Sequence, residues 1–262
     1  MPVSAANRHD DLRRQLEALH LDAFAHSFAD LALRAAKEGI SHEAYRYELV
    51  KLQRERREQR RVQRLLREAG LPPEKTFRTL SLDGFPAALR LQLERLKSGA
   101  FLKESTNIVA IGKPGVGKSH ALCAVAYELA HQGHSVLWTA TSTLLQRLLA
   151  AKRDLRLPQE LAKLDRFACV FLDDIGYVPQ DREEMEILFT FLAERYERRS
   201  VGITTNLVFS DWQRIFKDPL TTMAALDRVI HHCVILDMME LESYRARTAQ
   251  LRLQGEGGEL AE

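Results

Sequence analysis

The stretch Asn107-Ile108-Val109-Ala110-Ile111-Gly112-Lys113-Pro114-Gly115-Val116-Gly117-Lys118-Ser119 runs from a short apolar segment with strand character straight into the pattern GxxxxGK[ST]. The residues that follow, as far as His131, have helical character. Strand, glycine-rich bend and helix in that order are the context in which this pattern grips a polyphosphate. Backbone amides must surround the phosphate oxygens, side chains would hold those amides away, and the helix N-terminus adds favourable partial charge. Gly112, Lys113, Pro114, Gly115, Val116, Gly117, Lys118 and Ser119 are therefore the expected phosphate-binding residues. Lys118 is expected to neutralise the β- and γ-phosphates and the Ser119 hydroxyl to bind Mg²⁺. The plain alternative is a glycine turn between strand and helix, and the motif together with its preceding strand outweighs it.

Further along, Cys169-Val170-Phe171-Leu172-Asp173-Asp174 is an apolar run that ends in two carboxylates. In P-loop NTPases such a strand is expected beside the P-loop strand, with Asp173 holding Mg²⁺ through water and Asp174 polarising the attacking water. Open α/β sheets bind ligands at the C-terminal ends of their strands, where both acids fall. For the pair alone, an Asp-Asp turn feeding Gly176 is the simpler reading. The strand candidates are Asn107 to Ile111, Ser135 to Thr139, Ala168 to Leu172, Ser200 to Thr204 and Cys233 to Leu236. They are separated by helix-length segments, so the expected fold class is α/β with a five-stranded parallel sheet.

Toward the N-terminus the pattern changes. Leu12, Leu16, Leu19, Leu21 and Phe24, then Phe28, Leu31 and Leu33, recur near helical spacing, and no proline falls between Pro2 and Pro72. Residues 10 to 69 are predicted to be helical, and Gly70, Pro72 and Pro73 end the pattern. The expected organisation is a small all-α domain over 1–70 that binds DNA or a partner, a connecting segment over 71–100, an α/β domain over 101–252 and a mobile tail over 253–262.

The chain has 262 residues, a formal charge of +2, 45% apolar and 28% charged residues, which argues for one or two folded domains and against disorder, collagen and disulfide scaffolds. No apolar run approaches the roughly 18 to 20 residues that span a bilayer, and Met1 to Asp10 lacks the apolar middle of a signal peptide. A soluble cytoplasmic protein with no membrane partner is expected. Cys123, Cys169 and Cys233 lie in apolar stretches without ligand spacing and are read as buried thiols. His131, His134, His231 and His232 likewise show no convincing ligand spacing and are read as structural or surface residues. No metal beyond Mg²⁺ is expected.

The near-neutral total hides a local excess. From Lys51 to Arg67 there are eight Lys or Arg against Glu55 and Glu58. On a helical wheel Arg54, Arg57, Arg61 and Arg64 fall in one stripe, opposite Leu52, Val62 and Leu66. Such a stripe neutralises phosphates without reading bases; the bland alternative is a solvated face. A second basic group is Lys152, Arg153 and Arg156, which Arg147 is placed to join.

Taken together, residues 100 to 250 resemble an AAA+ ATPase module, and specifically the IstB-type helper ATPases of insertion sequences, relatives of the DnaC helicase loaders. The resemblance rests on GKPGVGKSH at 112–120, FLDDIGYVP at 171–179, RRSVGITTN at 198–206, DWQRIF at 211–216, LDRVIHH at 226–232 and SYR at 243–245. It implies an AAA+ core that binds ATP with Mg²⁺, assembles as a homo-oligomer on duplex DNA and delivers target DNA to a cognate transposase. By the same resemblance Asn206 corresponds to sensor 1, Arg228 to an arginine finger that reaches a neighbouring subunit's nucleotide, and Arg245 to sensor 2. The 152–156 region faces the inside of the assembly in such relatives, which makes it a second expected DNA contact. The acid after the Mg²⁺-binding Asp is commonly Glu in AAA+ proteins, whereas here it is Asp174, as is usual in the IstB and DnaC branch; slow hydrolysis is expected. A helicase loader built on the same core is the nearest alternative, and a small-molecule kinase or a nonenzymatic DNA-binding scaffold are alternatives of other classes.

Overall fold

The computed structural model describes residues 5–177, 182–216 and 218–244; Arg245 and the 253–262 tail lie outside the described residues. The chain divides into two compact units, Met1–Arg64 and Leu65–Glu262, so the division falls within a helix.

The first unit holds α1 (Ala5–Ala18), α2 (Asp22–Glu38) and most of α3 (His42–Ala69). Leu21 precedes α2 and offers it no side-chain cap. Buried Gln53 of α3 supplies what is missing: its Oε1 accepts from Ala23 N at 2.9 Å and its Nε2 donates to His20 O at 3.3 Å. One of the orphan amides of the first helical turn is thereby satisfied from another helix. Gly39, at φ 67°, ends α2 in the left-handed conformation that glycine adopts without a Cβ penalty. Ala25, Phe28 and Leu49 form the buried apolar centre, and the Tyr45 hydroxyl donates to Phe28 O at 3.0 Å.

The second unit continues with α4 (Ala87–Lys97), β1 (Asn107–Gly112), α5 (Lys118–His131), β2 (Val136–Ala140), α6 (Thr141–Arg153), α7 (Leu157–Leu164), β3 (Cys169–Asp173), α8 (Arg182–Arg195), β4 (Ser200–Thr205), α9 (Gln213–Phe216), α10 (Pro219–Ile230) and β5 (Cys233–Met238). The strands form one parallel sheet in the order β2-β3-β4-β1-β5. All five predicted strands are present, displaced or extended by at most two residues at an end.

One expectation is corrected. The strand carrying Asp173 does not lie beside the P-loop strand; β4 lies between them. The inserted strand Ser200–Thr205 suits the position because it is buried throughout and built from small and β-branched residues. At its centre Gly202 leaves room for Phe171, whose ring a Cβ at that position would strike.

Alternation along the strands sorts the core into two layers. Ile108, Ala110, Cys169, Phe171, Leu236 and Met238 face α4 and α5 residues such as Leu89, Leu93, Leu122 and Leu129. Val109, Ile111, Val170, Leu172, Val201 and Ile203 face Leu144, Leu148, Leu188, Phe191 and Val229 on the other side. Successive strand residues point to opposite faces, so covering both faces with helices is what makes β1 buried along its whole length. The loops at the C-terminal ends of the strands are thus carried on a rigid, fully packed sheet.

Candidate functional site

The glycine-rich loop leaves β1 at Gly112, which pairs with Met238 of β5. A Cβ on Gly112 would come within 2.8 Å of Met238 O, so only glycine lets the loop start this close to its neighbour. Gly115 and Gly117 adopt φ 85° and 97°, a region L side chains avoid. Gly117 then caps α5, whose first residues are Lys118 and Ser119. The bend, the helix N-terminus and the lysine thus stand together as the sequence predicts.

Lys118 Nζ donates to Gly112 O at 2.7 Å and to Lys113 O at 2.9 Å, which folds the ammonium over the loop. Ser119 Oγ donates to Asp173 Oδ1 at 2.6 Å, and Thr204 Oγ1 donates to the same oxygen at 2.6 Å. Thr204 also accepts from Asp174 N at 2.8 Å, and Thr141 Oγ1 donates to Asp173 O at 2.9 Å. The intervening β4 therefore joins the loop to the two acids through Thr204. Asp174 has φ 61°. Partial burial raises its carboxyl above the ordinary range and Asp173 adds to that, while Lys118 opposes it.

Asn206 follows β4. Its Oδ1 is buried without a hydrogen-bond partner among the described residues. Gly176 makes its place: a Cβ there would collide with Asn206 Oδ1.

Asp173, Asp174, Thr204 and Asn206 line one cavity of about 660 Å³, together with Pro114 to His120, a size suited to a small-molecule ligand; Gly112, Lys113 and Thr141 do not line it. A second wall comes from Lys75, Thr79, Leu80, Ser81, Asp83, Gly84 and Phe85. His120 ties that wall to α5, its Nε2 lying 3.0 Å from Thr76 O and 3.2 Å from Thr79 Oγ1. Burial holds the His120 imidazole below its usual pKa, with Lys75 contributing, against an opposing hydrogen bond to Thr76. Glu240 to Glu242 and Tyr244 close the cavity from beyond β5, and Tyr244 N donates to Gly115 O at 3.1 Å.

The remaining expected residues lie elsewhere. Arg228, in the last turn of α10, does not line the cavity; its Nη1 donates to Ala224 O at 2.7 Å and its guanidinium sits 4.8 Å from the centre of the Phe189 ring. Arg245 lies outside the described residues. Arg54, Arg57, Arg61 and Arg64 are all exposed on α3, within which every residue from Arg54 to Arg61 is exposed. Lys152, Arg153 and Arg156 are exposed around the α6–α7 turn, where Lys152 lies 3.8 Å from Glu186 and Arg156 pairs with Asp154. Arg147 pairs with Glu160, whose carboxyl Lys163 and Arg147 hold below the usual range.

Several residues of the site escape a sequence reading. Thr204, Thr141 and His120 carry no motif of their own, although Thr204-Thr205 directly before Asn206 is a usable signal of hydroxyls at a strand end. Asn107 is another. Buried at the start of β1, it donates from Nδ2 to Arg228 O at 3.3 Å and to Val229 O at 3.1 Å, while its Oδ1 accepts from Val201 N at 2.9 Å. One amide thus ties the end of the helix that carries Arg228 to two strands.

The profile of the family described as IstB-like ATP binding protein matches residues 14–252. The chain belongs to that family. An insertion-sequence ATP-binding protein of Sinorhizobium fredii is 39% identical over 235 residues, covering 89% of this chain and 78% of that one. The insertion sequence IS21 ATP-binding protein of Pseudomonas aeruginosa is 32% identical over 237 residues, covering 90% and 89%. Among solved structures, DnaI superposes with a TM-score of 0.54 at 17% identity, over 65% of this chain and 96% of that one. The IstB-like chain accordingly has the AAA+ P-loop NTPase fold, and it belongs to a family described as ATP-binding. No helix among the described residues is long and apolar enough to cross a membrane.

Proposed function

We propose that this IstB-like protein binds MgATP in the cleft, assembles on duplex DNA, hydrolyses ATP slowly within that assembly, and presents target DNA to its transposase. The observation that carries the proposal is that one chain gathers Lys118, Ser119, Asp173, Asp174 and Asn206 around one cavity while Arg228 lies off it. No arginine among the described residues lines the cavity, and an arginine for the developing phosphoryl charge is supplied by a neighbouring subunit.

The residues present fit the nucleotide and its ion. Left-handed glycines leave the loop amides accessible, and the Ser119 hydroxyl with the Asp173 carboxylate is the oxygen-only donor set that Mg²⁺ prefers. Held by Ser119 and Asp173, an Mg²⁺ ion would supply charge neutralisation for the bound phosphates. Lys118 holds those phosphates against the loop. Asp174 polarises the attacking water, and the unpartnered Asn206 Oδ1 accepts a hydrogen bond from it. Arg228 acts on the nucleotide of the adjoining subunit, and Arg245 contacts the phosphates of its own.

Arg54, Arg57, Arg61 and Arg64, and separately Lys152, Arg153 and Arg156, contact the DNA backbone. The insertion-sequence names carried by the relatives support a transposase over a helicase as the recipient.

Phosphate release measured with and without duplex DNA tests the reading. Arg228→Ala is expected to keep nucleotide binding and lose turnover by about 10³-fold or more. Mixing Arg228→Ala with Lys118→Ala subunits is expected to restore part of the activity, because some interfaces then pair an intact loop with an intact arginine. No recovery at any mixing ratio would reject a finger acting in trans. Turnover that stays at background with DNA present would leave a scaffold in place of an ATPase.

A further inference from the structure

At the end of the sheet away from the nucleotide cleft, three potential metal ligands come together from two places in the chain. Glu197 precedes β4, and His231 and His232 lie between α10 and β5. One ligand atom from each lies within 4.8 Å of those of the other two, and no other such group of three exists among the described residues. His231 Nδ1 is 3.9 Å from Glu197 Oε1, and the two imidazole centroids are 4.2 Å apart.

The backbone beneath the cluster is fixed. Asn107 N donates to His232 O at 2.7 Å, and His231 N donates to Asp227 O at 2.9 Å. The His231 ring is itself held, with Tyr196 Oη 3.0 Å from Nδ1. Nδ1 is also the nitrogen that faces Glu197 at 3.9 Å, so a metal bound through it would take the place of the Tyr196 hydrogen bond.

We propose that Glu197, His231 and His232 bind a divalent transition metal of the zinc class. Two imidazoles and a carboxylate favour zinc, copper or nickel over Mg²⁺ or Ca²⁺, which prefer all-oxygen sites. Bonds of about 2.0–2.2 Å to a tetrahedral ion set ligand atoms about 3.3–3.6 Å apart. The present spacing therefore needs to close by about 1 Å, within reach of exposed side chains on an anchored backbone. Three protein ligands leave the fourth position to water. Because His231 lies one helical turn beyond Arg228, bound metal would tie the end of α10 to the turn before β4.

The spacing of the histidines alone gives no ligand pattern, since the third ligand is supplied by Glu197 through the pairing of β4 and β5 with β1.

Calorimetric titration of the untagged, nucleotide-free full-length chain with Zn²⁺, with Asp173→Asn run alongside to report any zinc taken by the cleft, tests the site. About one zinc per chain is expected, with affinity at least tenfold weaker in His231→Ala, His232→Ala and Glu197→Gln, and unchanged in His131→Ala. Co²⁺ in place of Zn²⁺ is expected to give the visible absorption of a four-coordinate ion, lost in the same three variants. Absence of binding by the unaltered chain, or equal affinity in Glu197→Gln, would overturn the proposal. That variant changes only an exposed carboxylate, so it keeps the test open should a histidine variant fail to fold.

Discussion

Asp174 concentrates several demands on one residue. It sits at φ 61°, beside a second carboxylate, with its own carboxyl pushed upward chiefly by partial burial. A carboxylate with a raised folded-state pKa weakens the fold while it is ionised, and that cost disappears as pH falls below the unfolded value of about 3.9. Asp174→Asn removes the charge and keeps a residue that tolerates the left-handed region. Its melting temperature at neutral pH is therefore expected to equal or exceed that of the unaltered protein. Turnover, read as phosphate release, is expected to fall by about 10²-fold or more, with nucleotide binding retained. The acid limb of the pH–rate profile is expected above the ordinary aspartate range, because the proposed role of Asp174 in polarising water needs its ionised form. Gly176 offers a second test at this scale. Gly176→Ala places a methyl group where Asn206 Oδ1 now lies, so turnover is expected to drop by at least tenfold while fluorescent nucleotide still binds. Equal turnover would mean that the placement of Asn206 is irrelevant to the chemistry.

Among elements, β4 does the most to join the site. It stands between β1 and β3, and its Thr204 hydroxyl links the acids to the serine of the loop. The apolar run and the Thr-Thr-Asn ending make this strand recognisable in the sequence, but its place in the sheet is a property of long-range pairing that local pattern does not encode. The glycine-rich loop is legible because phosphate binding demands particular residues at particular positions. By contrast, the wall at Lys75 to Phe85 has no required residue types and emerges only once α4 packs beneath the sheet. Asn107 is equally hidden, since a single polar residue opening an apolar strand has many ordinary explanations. Gly202→Ala is expected to destabilise the protein by about 1–3 kcal/mol in chemical denaturation, because its methyl group meets the Phe171 ring inside a packed sheet. Nucleotide affinity of the folded fraction is expected to be unchanged. A full loss of nucleotide binding by folded Gly202→Ala protein would show that the strand's position is more tightly coupled to the loop than its hydrogen bonds suggest.

For the whole molecule, charge distribution matters more than net charge. A formal total of +2 coexists with four arginines exposed on one stripe of α3. If they meet DNA phosphates, replacing all four with Gln is expected to lower the log–log salt dependence of duplex binding by about 3 to 4, at roughly 0.9 for each phosphate no longer neutralised. Filter or anisotropy titrations over a range of salt concentrations read this directly, and an unchanged slope would remove the stripe from the interface. Nucleotide binding without DNA is expected to be unaffected, since none of the four lines the cavity.

The wall formed by residues 75–85 has a practical consequence for anyone recombining relatives of this protein. A graft spliced at the head of the first strand would carry the Lys118 grip from one parent and half of its enclosure from the other, and would strand Leu89, Leu93 and Leu96 against foreign surfaces. A junction near Arg64 passes the whole enclosure on intact, so the natural unit of exchange begins well upstream of the motif by which such chains are usually recognised.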